Sequence, residues 1–130
     1  MLSSDEGPIL FRNTMQIATG HLEDFRLDVR KAVEFVAEHG PQLMVDVFID
    51  EERMLAYSYQ LYRDSESILM HWQMSDPYIR EVMAHCTVRQ FDVYGEPDEA
   101  VLEGVRSMGD DGVPVTINPR FVGFARFLHA

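Results

Sequence analysis

The chain has 130 residues, of which 46% are hydrophobic and 25% charged, an ordinary composition for one globular domain with a hydrophobic core. Its formal net charge is −11, so it lacks the basic surface that binds nucleic acids and anionic membranes. One cysteine cannot form an internal disulfide, and no signal peptide or membrane-spanning run is visible, so we expect a cytoplasmic protein.

The first part of the chain predicts a strand followed by a helix. Residues 8–18 alternate between apolar and polar side chains, which indicates a strand with one apolar face. Asn13 lies in the middle of that apolar face. Between residues 22 and 38, apolar side chains recur at i, i+3 and i+4, which predicts an amphipathic helix that Gly40-Pro41 ends.

A hairpin is predicted next. Residues 43–49 are mostly apolar, and residues 53–62 alternate, with Tyr57 and Tyr59 on the same face. The polar turn at 50–52 is short enough to join two antiparallel strands. Sequence does not decide whether the two tyrosines face a pocket or a subunit interface.

The region after the hairpin predicts a short helix. Asp64 or Ser65 is suited to cap its N-terminus, and Ile68 is one of its apolar residues. His71 and Trp72 lie three and four residues after Ile68, so both can flank the core.

A second short helix and a fourth strand complete the core. Asp76 suits the N-cap of the helix and Pro77 its first turn, while Val82 belongs to its apolar stripe. Residues 88–94 predict the strand. The order β-α-β-β-α-β predicts an α+β, ferredoxin-like split βαβ fold, with helices on one face of an antiparallel sheet. The uncovered face favours a homodimer, because a two-fold interface needs only one self-complementary patch.

The rest of the chain, about 98–130, is predicted to be an arm added to a core of about 8–95 within one domain. We expect a helix over 99–108 and strands over 113–117 and 121–128. This arm is expected to extend the sheet or to clasp a partner protomer.

Few residues suggest chemistry by their spacing. The histidines form no metal-binding motif, and Cys86 lies on an apolar helical stripe, so we expect no metal site and a packing role for the thiol. Asn13 is a sharper candidate, because a buried amide must bond to something, whether a neighbour, water or a ligand. His71 and His85 are each either satisfied structural histidines or general bases, and Trp72 is either a core aromatic or a cavity wall.

At residues 59–64 continuing to His71, and again at residues 92–97, the chain resembles the antibiotic-biosynthesis-monooxygenase-like domains of the dimeric α/β-barrel superfamily. That family carries a histidine followed closely by a serine at the end of this helix. His71 matches when counted from Asp64, and Trp72 matches when counted from Ser75, so two alignments stay open. The resemblance implies the dimeric α/β-barrel fold and cofactor-independent oxygenation of phenols or quinols.

The resemblance also extends to a haem-degrading branch of the superfamily. That branch uses an asparagine on the first strand and a tryptophan in the second helical region. A histidine on the next helix binds the haem iron. Asn13, Trp72 and His85 would fill those places, with His85 about one helical turn later than the usual spacing.

Three functions follow as hypotheses. The first is a homodimeric, metal-free and cofactor-free monooxygenase or oxidase of a small aromatic phenol or quinol, or of a polyketide-like substrate. In it His71 or His85 acts as base, Asn13 and Trp72 hold the oxyanion, and a further set of residues lines the cavity: Met15, Tyr57, Ile68 and Val82. The second is a non-catalytic, dimeric small-molecule-binding or interaction domain, and the third is haem binding and degradation.

Overall fold

A five-stranded sheet with helices on one face forms the protein. The structure, a computed structural model, describes residues 7–124 and 126. In chain order its elements are β1 (Ile9–Ile17), α1 (Leu22–His39), β2 (Met44–Asp50), β3 (Leu55–Tyr62), α2 (Ser65–Met74), α3 (Asp76–Met83), β4 (Cys86–Tyr94), α4 (Glu99–Asp110) and β5 (Val115–Asn118). No helix in this part of the chain is both long and apolar enough to cross a bilayer.

The strand order β2-β3-β1-β4-β5 confirms the predicted α+β, ferredoxin-like fold. The first four strands pair antiparallel, as the split βαβ arrangement requires. The fifth strand runs parallel to β4 and is reached through α4, which makes the sheet mixed. The sheet is open, and the arm after residue 98 extends it at the β4 edge.

Two local predictions need correction. Residues 121–124 are not in a strand, and residues 125, 127 and 128 of that predicted strand lie outside the described residues. Asp76 is not the N-cap of α3: Ser75 takes that position, and Asp76 is already helical, where it pairs with Arg80 at 2.8 Å. The change follows because α2 ends at Met74, so Ser75 caps the end of one helix and the start of the next.

The core consists of two hydrophobic clusters on the helix-covered face of the sheet. The first lies under α2 and α4 and includes Phe11, Ile68 and Val101, with Trp72 packed against it. The second lies under α1 and includes Met15, Phe25 and Ala56, with Cys86 packed against it. The packing role of Cys86 was predicted, but its place on a helix was wrong, because α3 ends at Met83 and Cys86 is the first residue of β4. Asn13 falls between Phe11 and Met15 on β1, so a polar residue divides the two clusters at mid-sheet.

Helix α4 approaches the first cluster closely because Gly104 has no side chain. A Cβ built there would lie 2.5 Å from Cζ3 and 2.9 Å from Cη2 of Trp72. Alanine normally stabilises a helix by about 1 kcal/mol relative to glycine. At this position the overlap with the indole is expected to outweigh that gain, so Gly104→Ala should lower the free energy of unfolding by about 1–3 kcal/mol.

The same helix provides a matched control in Gly109, where a Cβ would meet nothing closer than 4.0 Å. Gly109→Ala should therefore be neutral or stabilising in urea titrations. Combining Gly104→Ala with Trp72→Leu should recover part of the loss. Stabilisation by both glycine substitutions would show that Trp72 does not pack on α4.

Candidate functional site

A cavity of about 120 Å³ lies between the centre of the sheet and helices α1, α2 and α3. Most of its wall is aliphatic, with side chains that include Val33 and Val36 of α1, Val45 and Val47 of β2, and Val82 of α3. One side is polar, and six residues form it: Asn13, Gln42, Ser58, Gln60, His71 and Ser75.

The sheet register places three of these polar residues together. Asn13 on β1 pairs with Ser58 on β3, and Gln60 follows two positions later on the same face. Successive residues of a strand face opposite sides of the sheet, so Ser58 and Gln60 face the helices together with Ala56 and Tyr62. The cavity thus occupies the place where polar side chains interrupt the core.

His71 is the buried polar group at the end of this wall and is only 7% exposed. Its Nδ1 lies 2.9 Å from Oγ of Ser75, one helical turn later, and 3.1 Å from Nε2 of Gln42. Gln42 also donates to Oε1 of Gln60 at 3.0 Å, and that oxygen accepts from the Tyr62 hydroxyl at 2.8 Å. A chain of hydrogen bonds therefore holds the imidazole from one side.

This network uses only one of the two imidazole nitrogens. In the described part of the chain Nε2 of His71 has no hydrogen-bond partner. An amide nitrogen only donates, so Nδ1 accepts from Gln42 and the ring proton lies on Nε2. Turning the Gln42 and Gln60 amides over together reverses these hydrogen bonds and moves the proton to Nδ1. His71 can thus offer Nε2 either as a donor or as a base.

Burial lowers the pKa of His71 to about 4, so the imidazole is neutral at pH 7. In the unfolded chain it takes up a proton near pH 6.5. Since the unfolded state binds this proton first, the contribution of His71 to stability is complete above pH 6.5 and falls as the pH drops to about 4. The full loss is about 3 kcal/mol.

We therefore expect the unfolding free energies of wild type and His71→Gln to converge between pH 7 and pH 4. The variant lacks the titrating group, so its stability should fall less steeply with pH. Urea unfolding at half-unit pH steps measures the difference. Parallel curves for the two proteins would contradict a buried neutral imidazole.

Two side-chain oxygens in the polar wall lack partners. Oδ1 of Asn13 and Oε1 of Gln42 are buried and accept no hydrogen bond from the residues that the structure describes. Such an atom costs about 1–3 kcal/mol when nothing bonds to it. Both residues line the cavity, so a ligand with hydrogen-bond donors would satisfy them.

Half of the residues predicted for the site meet in this cavity. Asn13, Met15, His71 and Val82 line it, whereas four others lie elsewhere. Tyr57 is on the opposite face of the sheet, since it alternates with Ser58 on β3. The placement of Tyr57 in the same cavity as Asn13 was therefore wrong.

Ile68 and Trp72 point into the first hydrophobic cluster, away from the cavity. The Trp72 ring lies 6.3 Å from that of Phe11 and nearly parallel to it. Neighbouring residues of a helix are rotated by about 100° around its axis, so the side chains of Trp72 and His71 lie on different sides of α2. The structure thus places His71, with Ser75, at the cavity and removes Trp72 from the predicted oxyanion role.

His85 is bonded on both ring nitrogens outside the cavity. Its Nδ1 lies 3.0 Å from Nδ1 of His21, and its Nε2 lies 2.9 Å from Oδ2 of Asp28. These contacts tie the end of α3 to α1 and explain why His85 is a poor candidate for the base. They also leave no free nitrogen for haem iron, and a cavity of about 120 Å³ is too small for the macrocycle, so haem does not fit.

Sequence reasoning missed Gln42, Ser58 and Gln60. The alternation in residues 53–62 indicated two faces of the strand. The tyrosines that were considered for the site lie on the face opposite to the cavity. The useful signal was the predicted split βαβ fold, in which this strand lies beside β1, and the observed register sets Ser58 opposite Asn13. Gln42 follows the helix-ending Gly40-Pro41, where sequence gives no direction for a side chain.

No protein-family model and no curated protein sequence matches the chain significantly. Solved structures do match it. MupZ from Pseudomonas fluorescens superposes with a TM-score of 0.76 at 16% identity, over 92% of this chain and 95% of that one. An antibiotic-biosynthesis-monooxygenase candidate from Nitrosomonas europaea gives 0.62 at 13% identity, over 73% and 95%.

SnoaB from Streptomyces nogalater, described as a cofactor-independent oxygenase, gives a TM-score of 0.59 at 12% identity, over 71% of this chain and 95% of its own. The chain has the antibiotic-biosynthesis-monooxygenase-like, ferredoxin-like fold. At these identities the likeness establishes the fold alone. The MupZ match, at 92% of 130 residues, extends past Tyr94 into the segment that carries α4 and β5.

Proposed function

We propose that this protein is a cofactor-independent monooxygenase or oxidase of a small phenol or quinol. The observation that carries the proposal is one buried, neutral histidine in a largely aliphatic cavity, beside two amides with unpartnered oxygens. Apart from His71 and Tyr78, the cavity lining in the described chain contains no titratable side chain, and this supports His71 as the proposed base. SnoaB supports the proposal as a protein of this fold that is described as a cofactor-independent oxygenase.

The reaction begins with proton transfer. With Nε2 unprotonated, His71 takes the phenolic proton and becomes an imidazolium beside the new phenolate. Because burial lowers the pKa of His71, this transfer requires the anion to stay paired with the imidazolium and with amide donors such as Asn13. The electron-rich phenolate then reduces O2. In an oxidase, a quinol loses two electrons and two protons and yields a quinone and H2O2. In a monooxygenase, one oxygen atom enters the product and the other leaves as water.

Oxygen uptake by chelator-treated protein tests this function. Hydroquinones, naphthols and anthrones form the panel, each measured against its own autoxidation blank. Uptake above the blank that falls in Asn13→Ala supports the oxygenase. Equal rates with and without protein for every compound would reject it.

One observation favours a second function, a non-catalytic small-molecule-binding domain. A histidine with a pKa of about 4 is a weak base, and with its proton on Nε2 it holds a ligand as a hydrogen-bond donor without accepting a proton. Saturable binding of a phenol with no oxygen uptake and no change in the phenol would select this function. A homodimer is common to both proposals.

The uncovered sheet face is the proposed dimer interface. A shallow depression there is lined by four apolar or aromatic residues and one carboxylate: Met44, Phe48, Tyr57, Tyr59 and Asp46. Phe48 is 55% exposed. Apolar and aromatic groups on one face suit a two-fold contact with a second copy.

Sedimentation of Phe48→Asp tests this interface. Leu27→Asp on α1 is the matched control, since Leu27 is 54% exposed on the helix side. We expect a dimer for wild type and Leu27→Asp and a monomer for Phe48→Asp. A monomeric wild type would overturn the interface.

A compartment is also part of the proposal. Burial raises the pKa of Cys86 to about 11, so this thiol reacts poorly as a nucleophile. It packs against Val82 and Met83. A single packed thiol suits a reducing compartment, and we propose the cytoplasm.

A further inference from the structure

The cavity carries no charge at neutral pH. Apart from His71, its polar residues are amides, serines and one tyrosine, and no carboxylate, lysine or arginine of the described chain lines it. Moving a charged ligand into such a site removes its hydration without providing a counter-ion. The net charge of −11 adds long-range repulsion of anions. The ligand is therefore uncharged.

The size of the cavity favours a ligand with one ring. Its volume of about 120 Å³ is slightly below the roughly 150 Å³ that accommodates benzene in a protein core. Because the cavity is partly open, a second fused ring would either extend out of it or press against the packed valines of α1 and β2, and both weaken binding.

The hydrogen-bonding groups of the cavity fit hydroxyls. Oδ1 of Asn13 and Oε1 of Gln42 need donors. When the Gln42 amide turns over, its nitrogen needs an acceptor instead. A hydroxyl donates and accepts, so it fits both orientations, whereas an ether or a ketone fits only one.

We propose that the cavity binds an uncharged single-ring diol whose two hydroxyls bond to the side chains of Asn13 and Gln42. The proposal deepens the oxygenase assignment and rests on it for the aromatic character of the ring. Hydroquinone is then the simplest probe of the substrate class. Polycyclic phenols and anthrones are expected to bind more weakly because the cavity cannot enclose them.

Calorimetric titration under nitrogen tests the proposal without turnover, using the full-length protein. Hydroquinone should bind. Its dimethyl ether should bind about tenfold more weakly or worse, because the ether cannot donate to either oxygen. Gentisate, which adds a carboxylate, and 1,4-dihydroxynaphthalene, which adds a ring, should each also bind at least tenfold more weakly.

Variants of single residues test whether the hydrogen bonds to the cavity cause this selectivity. Asn13→Leu should bring the affinity for hydroquinone close to that for the dimethyl ether. Gln73→Leu is the matched control, because Gln73 is an exposed amide on α2, and it should leave both affinities unchanged. Circular dichroism confirms that each variant is folded.

Each outcome is decisive. Equal binding of hydroquinone and its dimethyl ether would overturn the proposed hydrogen bonds, and tighter binding of the two-ring compound would overturn the size limit. Turnover of anthrones but not of hydroquinone would reject this inference and keep the oxygenase. Selective binding of hydroquinone without oxygen uptake would keep this inference for the ligand and reject the oxygenase.

Discussion

Replacing His71 by phenylalanine is expected to lower oxygen uptake with a confirmed substrate by roughly 10²- to 10⁴-fold, the usual contribution of a general base. The substitution removes the titrating nitrogen of the cavity and keeps a ring of similar width. It also frees Ser75 and Gln42 from their shared partner at Nδ1. Initial rates in an oxygen electrode measure the effect.

Two further variants distinguish an effect on the reaction rate from an effect on the stability of the fold. Ser75→Ala removes one of the two contacts to Nδ1 and should lower the rate far less than His71→Phe. His85→Phe disturbs the contact with Asp28 outside the cavity, so it should alter stability with little change in the rate of the folded enzyme. A larger loss of rate in His85→Phe than in His71→Phe would transfer the role of base to His85.

Of the substitutions predicted to affect stability, Asp92→Ala is expected to lower the free energy of unfolding most, by about 3 kcal/mol. Asp92 is 2% exposed on the uncovered sheet face. Its Oδ2 accepts from Nε and Nη2 of Arg12 at 3.0 and 2.8 Å, and its Oδ1 accepts from Gln90 at 2.7 Å and Thr116 at 2.6 Å. Burial alone would raise the pKa of Asp92, but these hydrogen bonds outweigh it and lower the pKa.

Replacing Asp92 by alanine would remove the counter-ion of Arg12. It would also remove the acceptor of the hydrogen bond that Thr116 of β5 donates. The Arg12 side chain is 36% exposed and recovers some hydration, so we expect the lower end of the usual range for a broken buried pair. Denaturant unfolding gives the loss, and amide exchange should show it first in β5. The exposed pair of Arg106 and Glu99, with a contact of 2.7 Å, is the control, and Arg106→Ala should leave stability nearly unchanged. Equal losses in the two variants would show that burial of Asp92 is unimportant.

The sequence was sufficient for most of the fold because the first strand and the long helix follow a local period. Residues 9–17 alternate, and residues 22–39 repeat every three to four positions, and both elements appear within one or two residues of their predicted bounds. The parallel pairing of β5 with β4 was beyond reach, because it depends on how α4 crosses the sheet. Propensity carries no information about such long-range geometry.

The site was only half predictable for a related reason. Asn13 stood out as a polar residue on an apolar face, and that signal is local. The separation of His71 from Trp72 depends on which side of α2 packs toward α4 and which side faces the cavity. Ser58 and Gln60 belong to the site only through the register of β3 on β1.

The position of α4 has a consequence for the synthesis of the protein. Val101 and Val105 are fully buried in the same cluster as Phe11 and Val93, so the final quarter of the chain supplies part of the core that the first strand needs. On the ribosome, a nascent chain that ends near Pro97 would leave that cluster open to water, and exposed apolar surface of this kind favours aggregation and recruits chaperones. Its α4 side closes only once Glu99–Asp110 has emerged from the exit tunnel and can fold onto the sheet.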